Sequence, residues 1–382
     1  MYHDLTKGNI SRSLLLFALP MMAGNLLQQF YNIADTLIVG RVLGRDALAA
    51  VGSAYTLMTF LTSIFLGLSL GSGALFSIYK GRGDEKTLKS SVFHAFVLIM
   101  AVTVVLNILV YVGLDGILAF LKVPEEVWMG MRQYLLIIFA GLIATSLYNF
   151  FACLLRAMGN STVPLVFLAV STVINIGLDL LFVAVWSMGI GGAALATIIA
   201  QYISGLGITI FALRCCPQVI PKKSELKWDG GILKEIVNLS SMTCIQQSVM
   251  NFGILMVQGL VNSFGPVVMA AFAAAVKIDS FAYLPVQDFG NAYSTFIAQN
   301  YGAGNKERIK KGTKQAFALS ILFCIFISAL VFIFAGQLMS IFVSRAETEV
   351  IACGIKYLRV EGAFYWGIGC LFLFYGYYRA VK

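Results

Sequence analysis

Two pairs of polar residues at helical spacing carry the first chemical signal. Tyr31 and Asp35 lie four apart in "YNIADTLIVGR", and Asn175 and Asp179 lie four apart in "VINIGLDLLFV". Residues i and i+4 share one helix face, so each stretch sets a carboxylate beside a second oxygen-bearing side chain. Both stretches are otherwise apolar enough to cross a bilayer, where a charge near the centre costs at least ~2.5–3.5 kcal/mol on insertion scales. A carboxylate placed there needs a partner, a proton or a cation. Oxygens of this kind suit a hard cation, so Asp35, Asn175 and Asp179 form a candidate sodium site. One shared proton serves the same carboxylates when no cation is bound. The competing account is structural, a protonated Asp35 tying helices together through hydrogen bonds.

Composition dictates the elements that must position these groups. Of 382 residues, 59% are hydrophobic and 12% charged, and mean hydropathy is +0.86. The chain is therefore read as an all-α integral membrane protein. Apolar segments recur at about the 20-residue length that a helix needs to cross the hydrocarbon core, which excludes a barrel. Ten spans are expected, near 14–39, 48–78, 91–114, 133–155, 163–186, 191–213, 236–260, 267–298, 315–335 and 357–378. The polar start "MYHDLTKGNISRS" precedes an apolar run too long for a signal peptide, so the first helix is expected to be retained.

Charge orients these spans. With the N-terminus placed in the cytoplasm, 19 Lys and Arg fall on the cytoplasmic side, seven on the opposite side, and Lys277 within a span. The positive-inside rule supports that placement. The net charge of +9 is then explained by basic loops beside anionic lipid, without nucleic acid as a partner.

The sequence also repeats. "RVLGRDALAAVGSA" at 41–54 matches "NSFGPVVMAAFAAA" at 262–275 with an offset of 221, and the same offset pairs "YKGRGDEK" with "NYGAGNKE". Further on, Tyr134 answers Tyr357 and Arg156 answers Arg379 at offset 223. Repeats of one orientation imply an N-terminal lobe at 1–213, a basic cytoplasmic linker at 214–235 and a C-terminal lobe at 236–382. The first half runs on through two more spans after Arg156, whereas the second stops three residues after Arg379, so the chain is expected to be truncated by two helices. Offset 221 sets Met256 opposite Asp35, which assigns ion coupling to the first lobe.

Other intramembrane groups carry weaker signals. Lys277 and Asp279 are candidate cavity residues, but i and i+2 point apart on a helix. Gln246, Gln247 and Glu361 join them as cavity candidates. Glu361 lies close enough to a helix end to read as water-facing. Pro20 and Pro285 are candidate hinges, because proline bends a helix. Gly67, Gly71 and Gly73 read as small-residue packing.

Several chemistries are excluded. No GxxxxGK[ST] phosphate loop exists, and His3 and His94 are the sole histidines. Seven cysteines without a CxxC pair argue against a zinc site or a disulfide framework, and no cofactor is expected. An intramembrane enzyme remains a remote alternative.

The order of "LPMMAGNLLQQFYNIADTLIVGRVLG", "GRGDEK", "RAMGN" and "FIAQNYGAGN" resembles the multidrug and toxic compound extrusion (MATE) family, in particular its bacterial branch related to the DNA-damage-inducible transporters. The resemblance implies twelve helices in two six-helix lobes, V-shaped around a central cavity, of which about ten are present. It implies efflux of amphipathic or cationic organic compounds coupled to sodium or proton influx, in a monomer of the bacterial inner membrane surrounded by lipid. Tyr31, Asp35, Asn175 and Asp179 resemble the family's N-lobe cation and proton site, and Thr197 and Asn149 fit it by placement. Glu361 lies on the span where some members carry a coupling acid. A lipid-linked oligosaccharide flippase of the same superfamily is the nearer alternative function.

Overall fold

The computed structural model describes residues 4–120, 123, 125–221, 227–343 and 345–381. Residues 222–226 of the expected linker lie outside these. Twelve α-helices are described: α1 (Ile10–Val42), α2 (Arg45–Arg82), α3 (Glu85–Phe120), α4 (Glu125–Ile138), α5 (Leu142–Ala157), α6 (Thr162–Asp179), α7 (Gly189–Cys215), α8 (Gly230–Asn262), α9 (Pro266–Gly302), α10 (Lys306–Phe342), α11 (Thr348–Ala363) and α12 (Tyr365–Val381). No strand occurs among the described residues. Among the described residues eight segments are long and apolar enough to cross a membrane, and the chain is a multi-pass membrane protein. One of these segments, Val127–Ala157, joins α4 to α5 through a tight turn at Phe139–Gly141.

Helix starts follow from local side chains. Asp84 accepts the Thr87 amide at 3.0 Å, Asn9 that of Arg12 at 3.1 Å and Asp229 that of Gly231 at 2.8 Å. Each satisfies a donor that the first helical turn leaves over. Hydrogen bonds from the Thr87 side chain and backbone hold the Asp84 carboxyl below the usual range.

The repeat is written in the backbone. Gly44 and Gly265, 221 residues apart, have φ of 88° and 91°; Gly83 and Gly304, at the same offset, have 74° and 71°. These angles suit a residue without a Cβ. Between those turns α2 and α9 are 38 and 37 residues long, and α1 and α8 are 33 each. The broken pair α4–α5 recurs as α11–α12.

Contacts group the chain differently from a single division at 214–235. One compact unit is Leu27–Ser248; the other joins the segment ending at Leu26 to Val249 and beyond. The first half of α1 thus belongs to the second unit, and the first half of α8 to the first.

In the first unit Phe76 meets Phe150 edge to face at 6.1 Å, packing α2 on α5, while Phe65, Phe139 and Leu142 close a second cluster. The glycines flagged above do pack helices. A Cβ on Gly71 would lie 2.6 Å from Ser240 Cα of α8, one on Gly67 2.9 Å from Cys244 Cα, and one on Gly73 3.2 Å from Cys153 Cβ of α5. The second unit closes on Ala275, Ile278, Leu358 and Phe372, which bring α9, α11 and α12 together.

Candidate functional site

The acids expected to act together do meet. Asp35 on α1 is 8% exposed and Asp179 at the end of α6 is fully buried, and their carboxyls lie within hydrogen-bonding reach of each other. At Asp179 the α-helix passes into a single wide π-turn, Leu180–Val185, a local unwinding that recurs at functional positions. Thr197 on α7 is the hub of the remaining polar contacts. Its hydroxyl oxygen accepts from the Asn175 amide nitrogen at 3.4 Å and lies 3.4 Å from the Tyr31 phenol. Ser171 on α6 donates to the Ala200 carbonyl at 2.9 Å, which fixes α6 against α7 one turn from these groups.

Asp35 Oδ1, both oxygens of Asp179 and Asn175 Oδ1 are buried, and among the described residues no donor reaches any of the four. Buried polar atoms are normally paired. An arrangement that collects acceptors and withholds donors attracts a proton or a cation, and its oxygen-only donor set fits sodium. Among the described residues no cluster of three or more His, Cys, Asp or Glu side chains could hold a metal ion.

Of the six residues expected here, Tyr31, Asp35, Asn175, Asp179 and Thr197 come together. Asn149 does not bond to them: its amide donates to the Thr145 carbonyl one turn back at 2.9 Å. Tyr134 on α4 was missed. It is buried within electrostatic range of Tyr31, Asp35 and Asp179, and in the sequence only its counterpart Tyr357 drew notice to it.

The second unit holds another acid pair. Asp279 on α9 and Glu361 on α11 approach within hydrogen-bonding reach. Tyr365 donates to Asp279 Oδ1, and Tyr357 stands beside Glu361. Asp279 Oδ2 and Glu361 Oε2 are buried without a donor among the described residues. Glu361 is half-buried, its Oε2 turned inward beside Asp279. Lys277 is exposed and lies over the Phe342 ring at 5.9 Å, so it and Asp279 point apart as their spacing requires. Gln247 is buried, Gln246 half-buried, and Pro20 and Pro285 lie inside α1 and α9.

A multi-pass bundle with donor-poor carboxylates inside its helices is the construction of a transporter that moves ions or charged solutes. The MatE family model matches residues 20–181 and 240–382, and the chain belongs to this family of transporters; it is not an enzyme. Over 380 residues it is 32% identical to "Probable multidrug resistance protein YpnP" of Bacillus subtilis (strain 168), covering 99% of this chain and 84% of the relative. It is 30% identical to "Probable multidrug resistance protein YoeA" of the same organism, covering 91% and 76%. A solved structure described as the outward-facing conformation of a multidrug resistance MATE family transporter superposes with a TM-score of 0.91 at 21% identity, covering 98% of this chain and 84% of that one.

Proposed function

We propose that this protein is a secondary antiporter that exports amphipathic, often cationic, organic compounds by alternating access, driven by sodium or proton influx through Asp35 and Asp179. The observation that carries the reading is the set of four donorless oxygens on Asp35, Asn175 and Asp179. Thr197, with Tyr31 and Asn175 against it, shapes the same pocket of oxygens. One charge crossing ~100 mV is worth ~2.3 kcal/mol, roughly a fifty-fold solute gradient per ion. The relatives' names support small organic compounds as cargo, and the flippase alternative gains nothing from them. The Lys and Arg asymmetry supports a cytoplasmic N-terminus, and the membrane we propose is a bacterial plasma membrane.

A second reading adds the pair Asp279 and Glu361 as another place where an ion is held, favoured by their own donorless oxygens. The test is efflux of a fluorescent cation from proteoliposomes under a sodium or a proton gradient. Asp35→Asn and Asp179→Asn should each abolish gradient-driven efflux with melting temperature retained. Normal coupled efflux by either variant removes that residue from the ion site. Asp279→Asn with Glu361→Gln, assayed identically, decides the second pair.

A further inference from the structure

A further membrane-embedded acid belongs to neither pair. Asp288 sits on α9 close to Pro285, is 6% exposed, and accepts a hydrogen bond from the Asn25 amide of α1 at 2.8 Å. Both residues belong to the second unit, and Asn25 lies two residues before α1 passes to the first.

The repeat supplies a counterpart for this contact. At the 221-residue offset Asp288 answers Gly67 and Asn25 answers Gln246, so the joint of α1 with α9 is the counterpart of the joint of α8 with α2. The α8–α2 joint is closed by backbone contact at Gly67 and Gly71, by Ser72 and Ser240 hydroxyls 3.2 Å apart, and by Tyr79 of α2, which donates to the Glu235 carboxyl of α8. In the α1–α9 joint the carboxyl stands on the other helix of the pair, α9, where Asp288 accepts from Asn25 of α1.

Asn25 and the ion site share one uninterrupted helix. No proline lies between residues 25 and 35, and at 1.5 Å per residue Tyr31 and Asp35 stand about 9 and 15 Å further along the axis. A straight α-helix carries an axial shift or a rotation at one position to the other. We propose that Asp288 is a positioning residue: its hydrogen bond to Asn25 sets the height and rotation of α1, and through the helix it sets where Tyr31 and Asp35 are presented. The functional consequence rests on the reading of Asp35 as part of the ion site. The positioning itself does not.

The test uses the full chain in membrane vesicles with neither substrate nor gradient, so its outcome is separate from that of the efflux assay. Native cysteines other than Cys216 are replaced, and Ala34→Cys reports on α1 beside Asp35; Cys216, buried in the first unit, reports on the fold. Reaction with a permeant maleimide is timed at both positions. Asn25→Ala and Asp288→Ala should each change the rate at position 34 by three- to ten-fold in the same direction, and the double variant should do no more than the larger single. Asp288→Asn, whose amide oxygen still accepts, should stay within two-fold of the parent. Three results overturn the proposal: single variants within two-fold, a double variant equal to the product of the singles, or an equal change at Cys216.

Discussion

Asp35 and Asp179 face each other from α1 and α6 within hydrogen-bonding reach, and no donor among the described residues is offered to Asp35 Oδ1 or to either oxygen of Asp179. Two acceptors without a donor repel unless something positive stands with them. A purely structural network would pair such groups with donors. The deficit also shows which neighbours should matter.

Thr197 is the first. Its hydroxyl serves both Tyr31 and Asn175, so Thr197→Val, which keeps the shape, should weaken the apparent affinity for the coupling ion three- to ten-fold, about 0.6–1.4 kcal/mol. Thr197→Ser should stay near the parent. The ion concentration giving half-maximal efflux measures this, and an unchanged Val variant would remove Thr197 from the site.

Tyr365 is the donor that Asp279 does have. Tyr365→Phe strips a buried carboxyl of its partner and should cost about 1–3 kcal/mol, read as a lowered melting temperature in detergent. Combined with Asp279→Asn the loss should be smaller than the sum of the two singles, because the pair acts as a unit. Additive losses would mean that the hydrogen bond contributes nothing.

Gly71 tests the α2–α8 joint. A methyl group there would meet Ser240 Cα at 2.6 Å, backbone that has no rotamer to give, so Gly71→Ala should cost about 1–3 kcal/mol. Gly253, also helical, has open space where a methyl group would stand, and Gly253→Ala should hold or raise the melting temperature. Equal effects at the two positions would refute close packing as the cause.

Asp84 supplies a pH-dependent case outside the membrane segments. Its pKa is lowered from the ordinary 3.8 by Thr87, so its contribution is present above that ordinary value and lost as pH falls through the lowered one. Asp84→Ala should therefore cost about 0.5–2 kcal/mol near neutrality. The difference in melting temperature from the parent should vanish below the lowered pKa. A difference that persisted in acid would show that the carboxylate is not the capping group.

Much of this was legible beforehand. Apolar runs announced the helices, and the i, i+4 pairs Tyr31–Asp35 and Asn175–Asp179 announced the oxygen cluster around Thr197, because helical spacing places such residues together without any tertiary knowledge. What escaped depended on distant pairing. Asp279 and Glu361 meet only because α11 packs on α9, and Asp288 shows its role only beside Asn25. Asn149 differs for a local reason: the backbone carbonyl one turn back, at Thr145, takes its amide. The exchange of helix halves was invisible too, since hydrophobic periodicity says which residues are buried and not against what.

That exchange also sets a clock for biogenesis. The first half of α1 leaves the ribosome early, yet its partners begin at Val249, beyond the whole of Leu27–Ser248. At ~5–20 residues per second the wait is ~10–45 s. For that time a finished stretch of helix must reside in lipid, or against a chaperoning insertase, before the companions that will hold Asn25 have been synthesised.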